Sequence, residues 1–466
     1  VDLNLLVVRG LVKVSGVSSS PTRKRPAPSA SRLLAYTLIH QVNHEGAYAN
    51  LRLPNLFESS SLDERDRAFV TELSYGTLRM QGKYDAAIAR YSDRELSKID
   101  PAIIDILRMG MHEIYGMRTP EHASVSQTVD LAKYVVGESS GTFVNAILRS
   151  ALRDESIHSY PDEISRLSSE YSHPKWIVQS FYDLVKDWSR VESILMSNNE
   201  AASPHLVAWP DESTQEELLA DGGELLSGTR FGVLSHQPPR NYLAVRERRA
   251  GVQDRGSQVI GETFLQTACG IPLSHSLSWL DMCAGPGGKA AYVYHSLHAQ
   301  RPADKFTANE ISEHRAGLVA QVIPSSNVIV GSGQDLALLS QKYDRIMVDA
   351  PCTGLGALRR RPESRWRRTM EDLKELVVIQ RELLDSATKI LSEDGLIAYV
   401  TCSPHLAETR IQVADFLYRH KDFEIVNLND FVSPEFKHSV QNDGTLQMWT
   451  DIDDADAMFM AIFKRK

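Results

Sequence analysis

From about Asn241 onward the chain repeats one unit: a short apolar run, a turn, and a helix-length segment. The runs are "LSWLDMC", "KFTANE", "NVIVGS", "YDRIMVDAP" and "GLIAYVTC", and a segment such as "LKELVVIQRELLDSATKIL" is long enough for a helix. Strands alternating with helices can satisfy their backbone and bury both faces only as a mostly parallel, doubly wound sheet. In such a sheet ligands bind beyond the carboxyl ends of the strands. The residues that close each apolar run are therefore the candidate functional residues.

With 466 residues the chain exceeds one ordinary core, at roughly 150 residues per domain, so several domains are expected. Residues 1–28 end in "SSSPTRKRPAPSAS", a Ser/Pro/basic stretch without apolar period that reads as a flexible leader. Residues 29–155 carry helical spacing instead. In "DPAIIDILRMGMHEIY" the apolar positions Ile103, Ile104, Leu107, Met111, Ile114 and Tyr115 share one face. Asp100 before Pro101 makes an N-cap and first helical residue, and Ser61 with Glu64 spells a capping box. The expectation is an all-α domain of six helices. Its histidines, such as His112, and its methionines Met109, Met111 and Met117 read as packing residues without chemistry. Residues 156–240 mix helix-like "KWIVQSFYDLV" with strand-like "PHLVAW" and read as a connecting α/β subdomain, leaving 241–466 for the sheet domain.

The composition, 42% apolar and 24% charged, is that of a globular protein. No uncharged apolar run approaches the ~20 residues that cross a bilayer, and "VDLNLLVVRGLVKVSG" lacks the basic start and small-residue cleavage site of a signal peptide. A cytoplasmic protein with no membrane partner is expected. Cys269, Cys283, Cys352 and Cys402 form neither C-x-x-C pairs nor metal-ligand spacings, which argues for free thiols and against a disulfide scaffold or a bound metal. A formal net charge of −9 counts against nucleic acid on average, but phosphate affinity follows local basic patches.

At the strand ends the chemistry becomes specific. "LDMCAGPGGKA" follows a strand and precedes a helix, so Cys283, Ala284, Gly285, Pro286, Gly287, Gly288 and Lys289 form a loop whose backbone a ligand can approach closely. It is not a P-loop, because Cys283 and Ala290 occupy the deciding positions, and G-x-G-x-x-G is missing. Glu310 closes the next strand about 20 residues on, where a carboxylate can hold both hydroxyls of a ribose. Loop and acid together suggest a nucleoside cofactor without a pyrophosphate. In "VDAPCTGLGALRRRPESRWRR", Asp349 and Cys352 end a strand, and Arg359, Arg360, Arg361, Arg365, Arg367 and Arg368 follow with Trp366 among them. Such guanidiniums can neutralise phosphates, and Trp366 can stack on a base or anchor a helix.

Two strand-end thiols, Cys352 and Cys402 in "YVTCSPHLAET", suit one problem in particular. C5 of cytosine is a poor nucleophile until a thiolate adds at C6. The adduct must then lose the C5 proton and expel the thiolate, which a second cysteine and a carboxylate can assist. Spacing alone does not rank the two thiols.

At these residues the sequence resembles the RNA (cytosine-5)-methyltransferase family, with a Rossmann-like catalytic domain. "DMCAGPGGK" resembles that family's S-adenosylmethionine loop, Glu310 its ribose acid, Asp335 in "GQDL" its adenine-side acid, "DAPCTGLG" its Pro-Cys motif and "TCSP" its Thr-Cys motif; "VQDRGSQ" resembles the lead-in segment. Asp349 belongs to both the cofactor and the catalytic set. The resemblance implies that Cys402 is the nucleophile and Cys352 assists product release. It further implies a NusB-like RNA-binding helical domain, as in the bacterial enzyme acting on 16S ribosomal RNA, working as a monomer. Two positions depart from the usual pattern: Glu310 stands where Asp is commoner, and Gly285 where Ala is commoner. The competing readings are a DNA cytosine-5 methyltransferase, which would rely on a Pro-Cys nucleophile, and a non-catalytic, antitermination-like RNA-binding protein.

Overall fold

The computed structural model describes residues 28–117, 119–154, 159–338 and 340–466. The leader expected over 1–28 lies, apart from Pro28, outside them. The chain forms two compact units. One takes in the described residues up to Gln179 together with Arg359–Arg367; the other is Ser180–Leu358 with Arg368–Lys466.

The first unit is helical. Between 29 and 155 its described residues form six α-helices, Ala30–His44, Ala49–Glu58, Glu64–Tyr91, Pro101–Tyr115, Glu121–Val135 and Glu138–Arg153. Leu38, Ile39, Leu73, Leu78, Leu107, Met111 and Leu148 are buried in their common core. Asp100 caps the helix begun by Pro101, accepting the Ala102 N–H at 2.8 Å. The expected capping box is not formed. The N-cap of Glu64–Tyr91 is Asp63, two residues after the expected cap, and its carboxylate accepts the Asp66 N–H at 2.8 Å. Tyr115 is exposed at the end of its helix, past the point where that face meets the core. His112 is a core histidine bonded to the Tyr84 hydroxyl at 2.8 Å, and Met109 and Met111 are packed.

The second unit contains two sheets. Strands β1 (His205–Ala208), β2 (Gly223–Leu225), β3 (Gly232–Ser235) and β4 (Ala250–Val252) form a small antiparallel sheet in the order β2-β3-β1-β4. This sheet reaches past the boundary expected at 240, because β4 pairs with β1 in space although β2, β3 and two short α-helices lie between them in sequence. The large sheet comprises β5 (Ser278–Asp281), β6 (Lys305–Glu310), β7 (Val328–Val330), β8 (Tyr343–Asp349), β9 (Leu391–Thr401), β10 (Phe423–Val426), β11 (Leu446–Gln447) and β12 (Phe459–Arg465). Its order is β10-β12-β9-β8-β5-β6-β7, with β11 beside β12. The strands β9, β8, β5, β6 and β7 are parallel, while β12 and β10 add antiparallel edges.

Pleating sends alternate residues to opposite faces, and both faces are buried. Trp279, Met347, Ala398 and Val400 share a core with Ile260, Phe264 and Val293. Their neighbours Leu280, Ile346, Val348, Ile397 and Tyr399 pack with Leu383, Leu384, Val413 and Phe416. This is why the strands read as continuous apolar runs. Among the described residues no helix is long and apolar enough to cross a membrane.

Candidate active site

The strand order turns at the β8–β5 pair, where the chain leaves β5 toward β6 and β7 on one side and returns to β8 and β9 on the other. Such a switch point opens a crevice at the carboxyl ends. Every strand-end motif singled out in the sequence falls at this end of a parallel strand.

The loop after β5 is shaped by its acids. Asp281, wholly buried at the strand end, accepts the Cys283 N–H at 3.3 Å with one oxygen, while Oδ2 has no hydrogen-bond partner. Burial pushes its pKa up to about 8, with the charge of Asp349 adding to the effect. Glu310, 2% exposed, accepts the Gly285 N–H at 3.0 Å on Oε2 and the Ser312 N–H at 2.9 Å on Oε1. Arg315 lies 3.2 Å from Glu310 Oε2 and also donates to the Gly285 carbonyl. A Cβ on Gly285 would stand 2.3 Å from Glu310 Oε2, so glycine is what lets the loop lie against this longer acid. Gly287, with φ of 115°, turns the chain into the helix Gly288–Gln300. Cys283 is kept a neutral thiol, its pKa raised by burial and by Asp281. Asp335 is exposed on the turn Gly333–Leu338 and lines a cavity of about 430 Å³ with Ser332, Gln334 and Glu382.

On the other side of the switch point two thiols meet. Cys352 Sγ and Cys402 Sγ are 3.4 Å apart, although 50 residues separate them in sequence. Lys289 Nζ donates to Asp349 Oδ2 at 3.0 Å; burial works against the ammonium, yet the charges of Asp349 and Cys402 keep its pKa above the ordinary value. The Cys402 pKa is lowered by its hydrogen bond from Cys352 and by the charge of Lys289, which outweigh burial. Cys352 is raised well above a free thiol, by that same bond first and by burial. The site therefore holds one thiol disposed to ionise and one held neutral.

The arginine run behaves differently from expectation. Arg359–Arg367 belongs to the helical unit. Arg365 is fully buried and donates to the carbonyls of Arg79, at 3.3 Å, and Ser172, at 3.1 Å; burial pushes its pKa down to about 9. Arg359 is also buried. Arg367 donates to the Val42, Gly46 and Ala47 carbonyls and lies over the Tyr48 ring. Trp366 packs where a Gly82 side chain would stand. Arg365 and Arg367 thus direct their guanidiniums to backbone carbonyls, which helix ends and loops leave in need of donors, instead of presenting them for phosphate as expected. Arg361 is exposed, and Arg360 and Arg368 are half-buried.

Sequence reasoning passed over Glu408, Gln380 and Thr353, which lie under the thiols. Glu408 accepts the Thr353 N–H at 2.8 Å, and Gln380 donates to Glu408 at 3.1 Å. The only signal available was an acid six residues after Cys402, which reads equally well as a solvated turn residue.

A doubly wound sheet with an acid-lined glycine loop and paired strand-end thiols has the parts that cofactor-dependent group transfer needs. The model of the 16S rRNA methyltransferase RsmB/F family matches residues 272–464, and that of the NusB family matches 29–153. A Mycobacterium tuberculosis protein assigned as a methyltransferase is 39% identical over 462 residues, covering 95% of this chain and 98% of that protein. The ribosomal RNA small subunit methyltransferase B of Erwinia tasmaniensis is 25% identical over 425 residues, covering 89% of this chain and 96% of that protein. Among solved structures, that of PH0851 has a TM-score of 0.75 at 18% identity and covers 95% of this chain and 100% of that one.

The chain belongs to the RsmB/F family of RNA methyltransferases, with an N-terminal NusB-like domain. Its cofactor is S-adenosylmethionine. The residues present fit that group. The cofactor carries an ammonium and a sulfonium, and this end of the sheet holds Asp281, Glu310 and Asp349, with a buried Asp281 oxygen lacking a partner.

Proposed function

We propose that this protein methylates C5 of a cytosine in 16S ribosomal RNA through a covalent bond between Cys402 Sγ and C6 of the base. The observation that carries this reading is the pair of thiols 3.4 Å apart, one lowered and the other raised in pKa. Glu310, Asp335, Asp349 and the backbone of 283–289 would hold S-adenosylmethionine, which when bound would supply an electrophilic methyl group. The Cys402 thiolate adds to C6, forming the S–C6 bond and making C5 enamine-like. C5 would then form a bond to the methyl carbon as the S–CH3 bond breaks, the electron pair of that bond remaining on the sulfur of the departing S-adenosylhomocysteine. Loss of the C5 proton to a base then restores the C5–C6 double bond, and the electron pair of the S–C6 bond returns to Cys402 sulfur. Cys352 and Asp349 assist this release. A Pro-Cys nucleophile, as a DNA cytosine methyltransferase would use, fits poorly with a Cys352 thiol held neutral. Arg361 and Arg368 contribute to holding the RNA backbone.

The test is a denaturing gel of each cysteine variant after incubation with 16S RNA and S-adenosylmethionine, with bisulfite sequencing of the product. Cys402→Ala should give neither methylation nor adduct. Cys352→Ala should give a trapped protein–RNA band. A trapped band with Cys402→Ala and none with Cys352→Ala would reverse the roles, and normal turnover in both would sink the covalent mechanism.

A further inference from the structure

Below the thiols lies a polar cluster that the chemistry above does not use. Glu408 ends the short turn Leu406–Glu408 and is completely buried. Its Oε1 accepts the Thr353 N–H at 2.8 Å and the Gln380 amide at 3.1 Å, and its Oε2 accepts the Thr353 hydroxyl. Thr353 directly follows Cys352. The Thr353 hydroxyl also lies 3.1 Å from that of Ser403, which directly follows Cys402. Gln380 donates to the carbonyl of Pro351, just before Cys352, at 2.9 Å. Tyr399, three residues before Cys402, donates to the Glu408 carbonyl at 2.7 Å and lies 3.0 Å from Gln380 Oε1. Both cysteine loops are thus held on each side of the thiol by groups bonded to one carboxylate.

We propose that Glu408 is the positioning residue that sets the spacing of the two thiols and assigns them their separate roles. This rests on the reading that Cys402 attacks and Cys352 assists release. Hydrogen bonds alone would not require a carboxylate, since a neutral amide could bridge the same loops. Among the described residues Glu408 forms no ion pair, and a buried anion without a cation is costly. Its charge has a target. It adds to the causes that raise Cys352, after the Cys402 hydrogen bond, burial and the Cys402 charge. The largest influences on Cys402 are its bond with Cys352, burial and Lys289, followed by Asp349 and Asp456. The other titratable groups facing Glu408 are Tyr399, kept neutral by burial and the Glu408 charge, and His405, lowered by burial against the pull of Glu408. Glu408, bonded to the residue that directly follows Cys352, therefore adds its charge on the Cys352 side of the pair, keeping Cys352 a proton-bearing neighbour of the sulfur that must leave.

The experiment follows iodoacetamide alkylation of Cys352 against pH by peptide mass spectrometry. It uses the full chain without RNA, in a Cys402→Ser background that removes the coupled thiol. Adding Glu408→Gln, which keeps the side chain's shape and removes its charge, should lower the Cys352 midpoint by about one pH unit, a tenfold gain in thiolate at a given pH. An unchanged midpoint overturns the proposal, as does an equal shift at Cys402 in a Cys352→Ser background. If Glu408→Gln does not fold, Thr353→Val removes only the hydroxyl link between the two loops. It should weaken capture of the Cys352/Cys402 pair by phenylarsine oxide, which needs two neighbouring thiols, and undiminished capture again overturns the proposal. Neither readout needs RNA or methyl transfer, so failure of the covalent mechanism, seen as no adduct in any variant, stays distinguishable.

Discussion

Gly285→Ala tests whether the two unusual residues of the cofactor loop compensate each other. The added methyl would stand 2.3 Å from Glu310 Oε2, 2.8 Å from Glu310 Cδ and 2.8 Å from Arg315 Nε. Arg315 is 48% exposed and can swing away. Glu310 cannot, because it is buried and the amides of Gly285 and Ser312 hold both its oxygens. The loop itself must move. Overpacking of this kind costs about 1–3 kcal/mol. Taken up by displacement of the cofactor loop, that corresponds to roughly 5- to 150-fold weaker binding of S-adenosylmethionine. Glu310→Asp draws the carboxylate back by one methylene and frees the space. The double variant Gly285→Ala/Glu310→Asp should therefore bind better than the sum of the single changes allows, with a coupling of about 1–2 kcal/mol. Calorimetry on the four proteins, with a thermal melt of each, measures it. Additivity within about 0.5 kcal/mol, or wild-type affinity for Gly285→Ala alone, would refute the steric argument.

Three further outcomes follow from the same geometry. Asp281 is raised in the folded chain to about 8 against about 3.9 unfolded, so the folded state holds the extra proton between those values and stability falls as pH rises through that window. Denaturant melts of Asp281→Asn should lose that decline, and an unchanged slope would show that the carboxyl ionises normally. Arg365→Ala should leave the Arg79 and Ser172 carbonyls without this donor and destabilise the helical unit by about 1–3 kcal/mol, seen as a lower melting temperature; an unshifted melt would contradict its burial. Arg361→Glu with Arg368→Glu should leave the melt unchanged and reduce the slope of log K against log salt for RNA by about 0.7–0.9 per lost phosphate contact, whereas an intact slope would make both arginines solvated surface.

The parallel sheet was legible because both its faces are buried at its centre, which forces β5, β6, β8 and β9 to be written as apolar runs leading into Asp281, Glu310, Asp349 and Cys402. Helix starts were legible where a cap and a fixed φ coincide, as at Asp100 and Pro101, and not at Ser61, where Asp63 two residues on is a second capping side chain and no proline marks the first turn. The arginine run was misread because a guanidinium offered to phosphate and one spent on buried carbonyls are spelled alike; only the packing of Arg365 and Arg367 against the first unit's backbone distinguishes them. Glu408 was invisible for a related reason. A carboxylate's role depends on what surrounds it, and Thr353, Gln380 and Tyr399 come from three separate stretches of chain. Local sequence decides which residues arrive at the ends of strands, because burial and backbone pairing act along each segment. The 3.4 Å between Cys352 and Cys402, and the different charges each meets, arise only when β8 and β9 lie side by side, since Coulombic and hydrogen-bond energies depend on distance in space and not on separation along the chain.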